Sequence, residues 1–495
     1  MGWPARRGLY SCACVLAATT SCAQLAGIDE TTGLVPADRV SLQIDRLSVG
    51  ATVTRAPQDL SENTASFLVA DDAAPEGFTR VPAELTDVNL WSAAIPGATP
   101  PVQFDLPEAG APWQRVWQFP NRNLTGLFGV YEHPAPQPAP SGAMLTVTVT
   151  LPSPYVTGQS FQFSTIGTWN ARTFPAMELP AVDMGLTAIG PVTFAFSATT
   201  KLPGREHEKI TTADAVVVLR YAANRLTGVL EAAPFEQTGT DMIMGAMTAV
   251  PADTMLDADL QPSLVAARYT PLRPAMSAPT MSWTLIAAPG VDHAASRGVT
   301  LHSGAVLATD PPLAVSFGNP FVAKGWRSLF LYSTVATRSF TPAGQTLPVT
   351  LRSELFTYTE PTAGMMMTLP AGLPELITID GMPLSTDGLA IPKPTRQATV
   401  SFIAGGSSSL YSVQLYELVP NLAGTALAHQ PVIEALGPTK ELTIPPEVLV
   451  PGKLYTLRAL TYSGSFPNAA DGDLATRTFP MSVGYHDSGV FTVMP

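Results

Sequence analysis

Proline constrains this chain more than any other residue. With 48 prolines and 38 glycines spread along 495 residues, a helix would meet an interruption roughly every ten residues, because proline lacks the N–H that a helix interior needs and clashes with the preceding turn. Strand edges and turns accommodate both residues. Valine, threonine and aromatic runs lie between them, so the expected fold is all-β, built of short antiparallel strands.

Cores stop growing near about 250–300 residues, so a chain of this length should divide. At 46% hydrophobic and 13% charged residues, there is enough apolar material to bury. The net charge is −12 and the basic residues are scattered singly. Without a basic stripe the electrostatic term that drives binding to phosphate backbones is missing, and no nucleic-acid partner is expected. All three cysteines, Cys12, Cys14 and Cys22, fall in the first 22 residues. The body therefore offers no disulfide, thiolate metal site or cysteine nucleophile.

Arg6 and Arg7 precede an apolar stretch from Gly8 to about Ala18, then Thr19-Thr20-Ser21-Cys22-Ala23. That order reads as a secretory signal over residues 1–22, with an apolar stretch too short to span a bilayer. Ser21-Cys22-Ala23 resembles the end of a bacterial lipobox. The resemblance implies a diacylglyceryl group on the Cys22 thiolate and an N-terminal lipid anchor in the membrane, followed by a polar tether over 23–39. Ordinary signal-peptidase cleavage after Ala23 is the alternative, and would release a soluble secreted or periplasmic protein.

Beyond the tether, short apolar pieces and turn clusters over 40–132 suit a small β-sandwich. Pro134, Pro136, Pro138 and Pro140 alternate with other residues in a linker over 133–143, where polyproline II is favoured. The region 144–390 is β-rich, either one large sandwich or two smaller ones. Met144–Leu151 alternates at period two, as a half-buried strand does. Val216-Val217-Val218 reads as strand, although the wider stretch 213–233 also admits a helix.

Over about 395–495, Leu449, Pro451 and Tyr455 carry the Leu-x-Pro-x-x-x-Tyr spacing. Here the sequence resembles a fibronectin type III domain. That resemblance implies a sandwich in which the Tyr455 phenol bonds back to the backbone, a tyrosine corner. Phe402 stands nearest the place of that family's strand-B tryptophan, which points to the wider immunoglobulin-like group. The expected architecture is several immunoglobulin-like or fibronectin III-like antiparallel β-sandwiches in tandem.

The six histidines are His133, His207, His293, His302, His429 and His486, and no two have a metal-ligand spacing. Glu206-His207-Glu208 reads as a solvated turn. His486-Asp487-Ser488 holds the residue types of a hydrolase triad, yet neighbours on one strand point to opposite faces, and no Gly-x-Ser-x-Gly elbow accompanies it. Asn468–Asp473 offers oxygen ligands without the pattern of an EF-hand, and reads as a turn. Met242, Met244 and Met247, with Met365-Met366-Met367, could suit Cu(I), but thioethers also fill irregular cores. Asp257, Asp259 and Glu354 have no glycosidase context.

These observations lead to no catalytic residues, no metal site and no cofactor. The expected function is that of a non-catalytic cell-envelope lipoprotein, most simply of the outer membrane. It would act as a binding, scaffold or surface module for a protein or glycan ligand. Two alternatives stand beside it: a secreted hydrolase of glycan or peptide using carboxylates in 144–390, and a periplasmic copper-handling protein.

Overall fold

The valine-rich stretch that admitted either helix or strand forms the strand Ala215–Ala222. Val216 and Val218 enter one core while Val217, Leu219 and Tyr221 enter another. An apolar run without alternation is what a strand buried on both faces requires. Among the described residues strand outweighs helix 60% to 5%, so the protein is all-β as its proline content implied. The computed structural model describes residues 39–49, 53–61, 64–95, 102–107, 114–119, 123–127, 140–154, 159–166, 171–173, 191–197 and, from 209 on, nearly all of the chain apart from short gaps at 211, 213–214, 233, 273–275, 289–297, 308, 310, 368, 386, 465 and 477. The expected signal, Cys22, most of the tether and most of the proline linker lie outside the described residues.

One hydrogen-bonded sheet runs through most of the molecule. From Gln159–Ile166 it passes through Ala215–Ala222, Arg225–Glu231, Val299–Val306, Thr280–Ala288, Arg327–Phe340 and Val349–Thr359. It continues through Met481–Asp487, Leu454–Ser463, Leu410–Pro420 and Leu427–Gly437, with every neighbouring pair antiparallel to this point. The next neighbour is Gln114–Phe119, which joins Leu427–Gly437 in parallel register. The N-terminal strands are thus continuous with the C-terminal region, an arrangement in which the first and last parts of the chain share a sheet.

Among the described residues four smaller sheets cover this long one, and alternation along its strands fixes which face each covers. Met144–Thr150, with Pro191–Ser197 and Thr240–Ala246 beside it, closes a core with Phe161, Phe163, Val216 and Val218. On the opposite face, Thr254–Asp259, Leu313–Phe317 and Met365–Met366 close a core with Val217, Trp283, Phe330 and Leu355. Ala371–Ile379, Ala398–Gly406 and Glu441–Ile444 lie along that second face and bury Val413, Ile433, Leu457 and Ala459. Back on the first face, the N-terminal strands Arg39–Val49, Leu90–Ala94 and Asn123–Leu127 close a core with Trp117, Leu410 and Phe466.

Side chains fasten the N-terminal strands to the C-terminal region. Thr443 N–H donates to the Gln118 side chain at 2.9 Å, and Arg80 reaches Glu447 at 2.9 Å. The loop around Asn468–Asp473, weighed above as a turn, packs Ala469 and Leu474 into the N-terminal core. Asp473 accepts from Ala475, Thr476 and Asn468, so its oxygens are occupied within the protein.

Candidate functional site

The strand Ala371–Ile379 crosses from one core to the next along its length: Ala371 and Leu373 belong to the core under Trp283, Ile377 and Ile379 to the core under Val413. Its register against Ala398–Gly406 slips twice, between Ala371 and Pro374 and between Glu375 and Thr378. Each slip adds a residue to this strand, as a β-bulge does. Leu376 falls in the second slip with φ of 48° and is 60% exposed, a conformation that a branched side chain rarely adopts. Two adjoining hollows open here, about 220 and 340 Å³ in volume. They share Pro271 and Glu375.

Glu375 is partly exposed and, among the described residues, its side chain has neither a hydrogen bond nor an ion pair. The larger hollow is also lined by Arg268, whose guanidinium is held by the carbonyls of Leu369 and Ala371 and has no carboxylate partner among the described residues. Burial pushes the Arg268 guanidinium down. The floor of this hollow is a close backbone approach between Gly372 and Gly405, where any Cβ on residue 372 would strike the Gly405 carbonyl. Leu272, Met276, Leu351, Ile377 and Leu384 wall the smaller hollow, together with His486. His486 Nδ1 is buried without a partner, and burial pushes its imidazole down to about 4, so the ring is neutral at pH 7. Arg338, also in this wall, pairs with Asp387.

His486 and Asp487 point to opposite faces of the long sheet. Asp487 has a side chain 0% exposed and accepts from Arg458 Nε at 2.6 Å and Arg458 Nη2 at 3.1 Å, as well as from the Arg352 backbone N–H at 2.8 Å. Arg458 lies over the rings of Tyr485 and Tyr416, at 4.4 and 5.2 Å from their centroids. Its bonds to Asp487 raise its pKa against the opposing effect of burial. Tyr485 donates to Glu354 at 2.6 Å, and Ser333 donates to the other oxygen of Glu354 at 3.1 Å. The Ser488 hydroxyl accepts from the Leu457 amide at 3.0 Å and donates to the Gly489 carbonyl at 2.8 Å. His486, Asp487 and Ser488 thus serve three different surroundings and form no relay.

The other residues singled out in the sequence are also dispersed. Asp257 is exposed on a covering strand whose Leu256 and Ala258 point into the core, whereas Glu354 faces away from that core on the long sheet. These carboxylates do not share a cleft. Met242 and Met244 are 64% and 69% exposed on one outer face, while Met247 is buried against Gly228, so the three thioethers do not converge. Among Met365, Met366 and Met367, the middle one is exposed and the last lies in a core. His302 stacks edge-on against Trp283 at 4.9 Å. His429 Nε2 lies 4.0 Å from Asp487, and burial pushes its imidazole down although Asp487 opposes the shift. His133, His207, His293 and Glu206-Glu208 lie outside the described residues. Among the described residues, no three His, Cys, Asp or Glu side chains gather where they could hold a metal ion.

Near the C-terminus, the Tyr455 hydroxyl donates to the Val448 carbonyl at 3.3 Å and accepts from the Val450 amide at 3.0 Å. Leu449 is fully buried in the same core and Pro451 makes the turn between them. Sequence reasoning missed Glu375. Its only local signal was Pro374, since a proline inside a strand pattern marks an edge or a bulge. Compared with protein families and with curated proteins, the chain matches none.

Proposed function

We propose that this protein is a non-catalytic, exported module of the cell envelope that binds a ligand in the bulged cleft around Glu375. A lipid on Cys22 would hold it to the membrane, most simply the outer membrane. One observation carries the binding reading: among the described residues, a carboxylate without a partner, Glu375, and an unpaired imidazole nitrogen, His486 Nδ1, line the same cleft, whereas the other unpaired buried polar atoms, on Trp91, His302, Thr357, Ser408 and His429, do not line it. Elsewhere Asp487, Ser488, Glu354 and Asp473 have their oxygens occupied by neighbours, which favours a scaffold role for them. A hydrolase would need a second available carboxylate beside Glu375, and Asp387 is committed to Arg338 and the Val490 amide. A fibronectin-like C-terminal region fits the same reading, with Tyr455 fastening the entry to its strand.

Export and anchoring are tested by mass spectrometry of the mature N-terminus, for the natural chain and for Cys22→Ala. A diacylated Cys22 and membrane fractionation lost on substitution are the expected results. A mature chain starting at Gln24 with no lipid would overturn the anchor. Among the described residues no helix is long and apolar enough to cross a membrane.

A further inference from the structure

From the contents of the cleft we infer that its ligand is a zwitterionic α-amino acid with an apolar side chain. This deepens the binding reading above and depends on it, but not on export. Glu375 lines both hollows and, among the described residues, its carboxylate is in no ion pair, so it calls for an ammonium group. A simple amine would also meet Arg268. That guanidinium lines the same hollow and, among the described residues, is bonded to backbone carbonyls and to no carboxylate, so its positive charge would oppose a purely cationic ligand. A ligand carrying an ammonium and a carboxylate on one carbon satisfies both charges at once. The side chain then has a place to go. The adjoining hollow begins at the shared Glu375 and Pro271 and is walled by Leu272, Met276 and Leu351. Among its polar members the imidazole of His486 is neutral, and Arg338 and Asp487 are each held in an ion pair, with Asp387 and Arg458.

The double register slip gives this arrangement a structural origin. In a regular strand Glu375 would alternate with Pro374 and Leu376 on a continuous ladder. Here the added residues turn Leu376 outward at positive φ and leave Glu375 at the junction of the two hollows. Bulges commonly re-aim a side chain in this way.

The test is calorimetric titration of the full mature chain at pH 7 with leucine, with leucinamide, which lacks the carboxylate, and with 4-methylpentanoate, which lacks the amine. Leucine should bind, and each truncated analogue should bind at least about tenfold more weakly. Glu375→Gln, which preserves shape, should weaken leucine about tenfold or more while circular dichroism and melting temperature stay unchanged. Arg268 also ties down the backbone, so Arg268→Lys is read by the ratio of leucine to leucinamide affinity, which should fall, rather than by stability. No leucine binding up to about 10 mM, equal binding of the three compounds, or leucine binding indifferent to Glu375→Gln would each overturn the assignment. The lipid state of Cys22 is read separately by mass spectrometry, so failure here leaves the envelope-anchor reading standing and failure there leaves this one.

Discussion

Ala215–Ala222 and Ala371–Ile379 each serve two cores, and they do it differently. Ala215–Ala222 divides its residues by face: Val216 and Val218 go to one core, Val217 and Leu219 to the other. Period-two alternation provides that division directly, and the strand's ladder to Gln159–Ile166 is unbroken. Ala371–Ile379 divides its residues by length, with Leu373 in one core and Ile377 in the next. Alternation does not provide for that change, so the strand slips register twice. A strand shared by face can be packed on both sides, as Ala215–Ala222 is even at Arg220, 2% exposed, whereas Ala371–Ile379, shared by length, has hollows beside its bulges. The first contributes stability and the second contributes a cleft.

Truncation at the first strand should have the largest effect. Leu219→Ala removes a 1% exposed side chain and should cost about 3 kcal/mol in urea unfolding. A loss below about 1 kcal/mol would mean that this strand is not the packed one of the pair.

Acid should weaken the cleft side by a similar amount. His486 has an ordinary pKa of 6.5 and a folded value of about 4, so between these values the unfolded chain binds the proton that the folded chain refuses. Stability from this group is fully present above pH 6.5 and is lost as pH falls toward 4, about 3 kcal/mol in total. Burial lowers His429 as well, in the same direction. Unfolding at pH 7 and pH 4.5 should show a shallower pH slope for His486→Gln than for the natural chain, and equal slopes would show that His486 is not the buried neutral group described.

Removing the hydroxyl in Tyr455→Phe should cost about 1–2 kcal/mol, because the Val448 carbonyl and Val450 amide lose their shared partner. At the bulge the sign should change. Leu376→Gly relieves the positive φ of an exposed residue and should be neutral or up to about 1 kcal/mol stabilising. A clear loss would show that Leu376 contributes packing that its exposure does not suggest. The smallest effect belongs to Glu375→Gln, expected within about 0.5 kcal/mol of the natural chain, since that carboxylate has no partner among the described residues.

Much of the local structure was legible in the sequence because it depends on short-range chemistry. Proline spacing excluded long helices, the Val-Thr alternation of Met144–Thr150 marked a half-buried strand with pattern and burial in step, and the Leu449-x-Pro451 spacing led to Tyr455 and its backbone bonds. The cleft was not legible. Glu375 is one acid among the 39 Asp and Glu residues of the chain, and Arg268 lies over a hundred positions before it. His486 drew notice through Asp487 and Ser488, neighbours that turn out to serve other faces and other bonds.

The sequence by itself determined the class of the fold and the type of most strands, because proline, alternation and turn residues act within a few positions. Only the tertiary structure decided which strands share a core, that Gln114–Phe119 joins Leu427–Gly437, and that Glu375 has room and no partner. Those outcomes depend on where residues hundreds of positions apart meet, and on one strand having to change cores partway along its length.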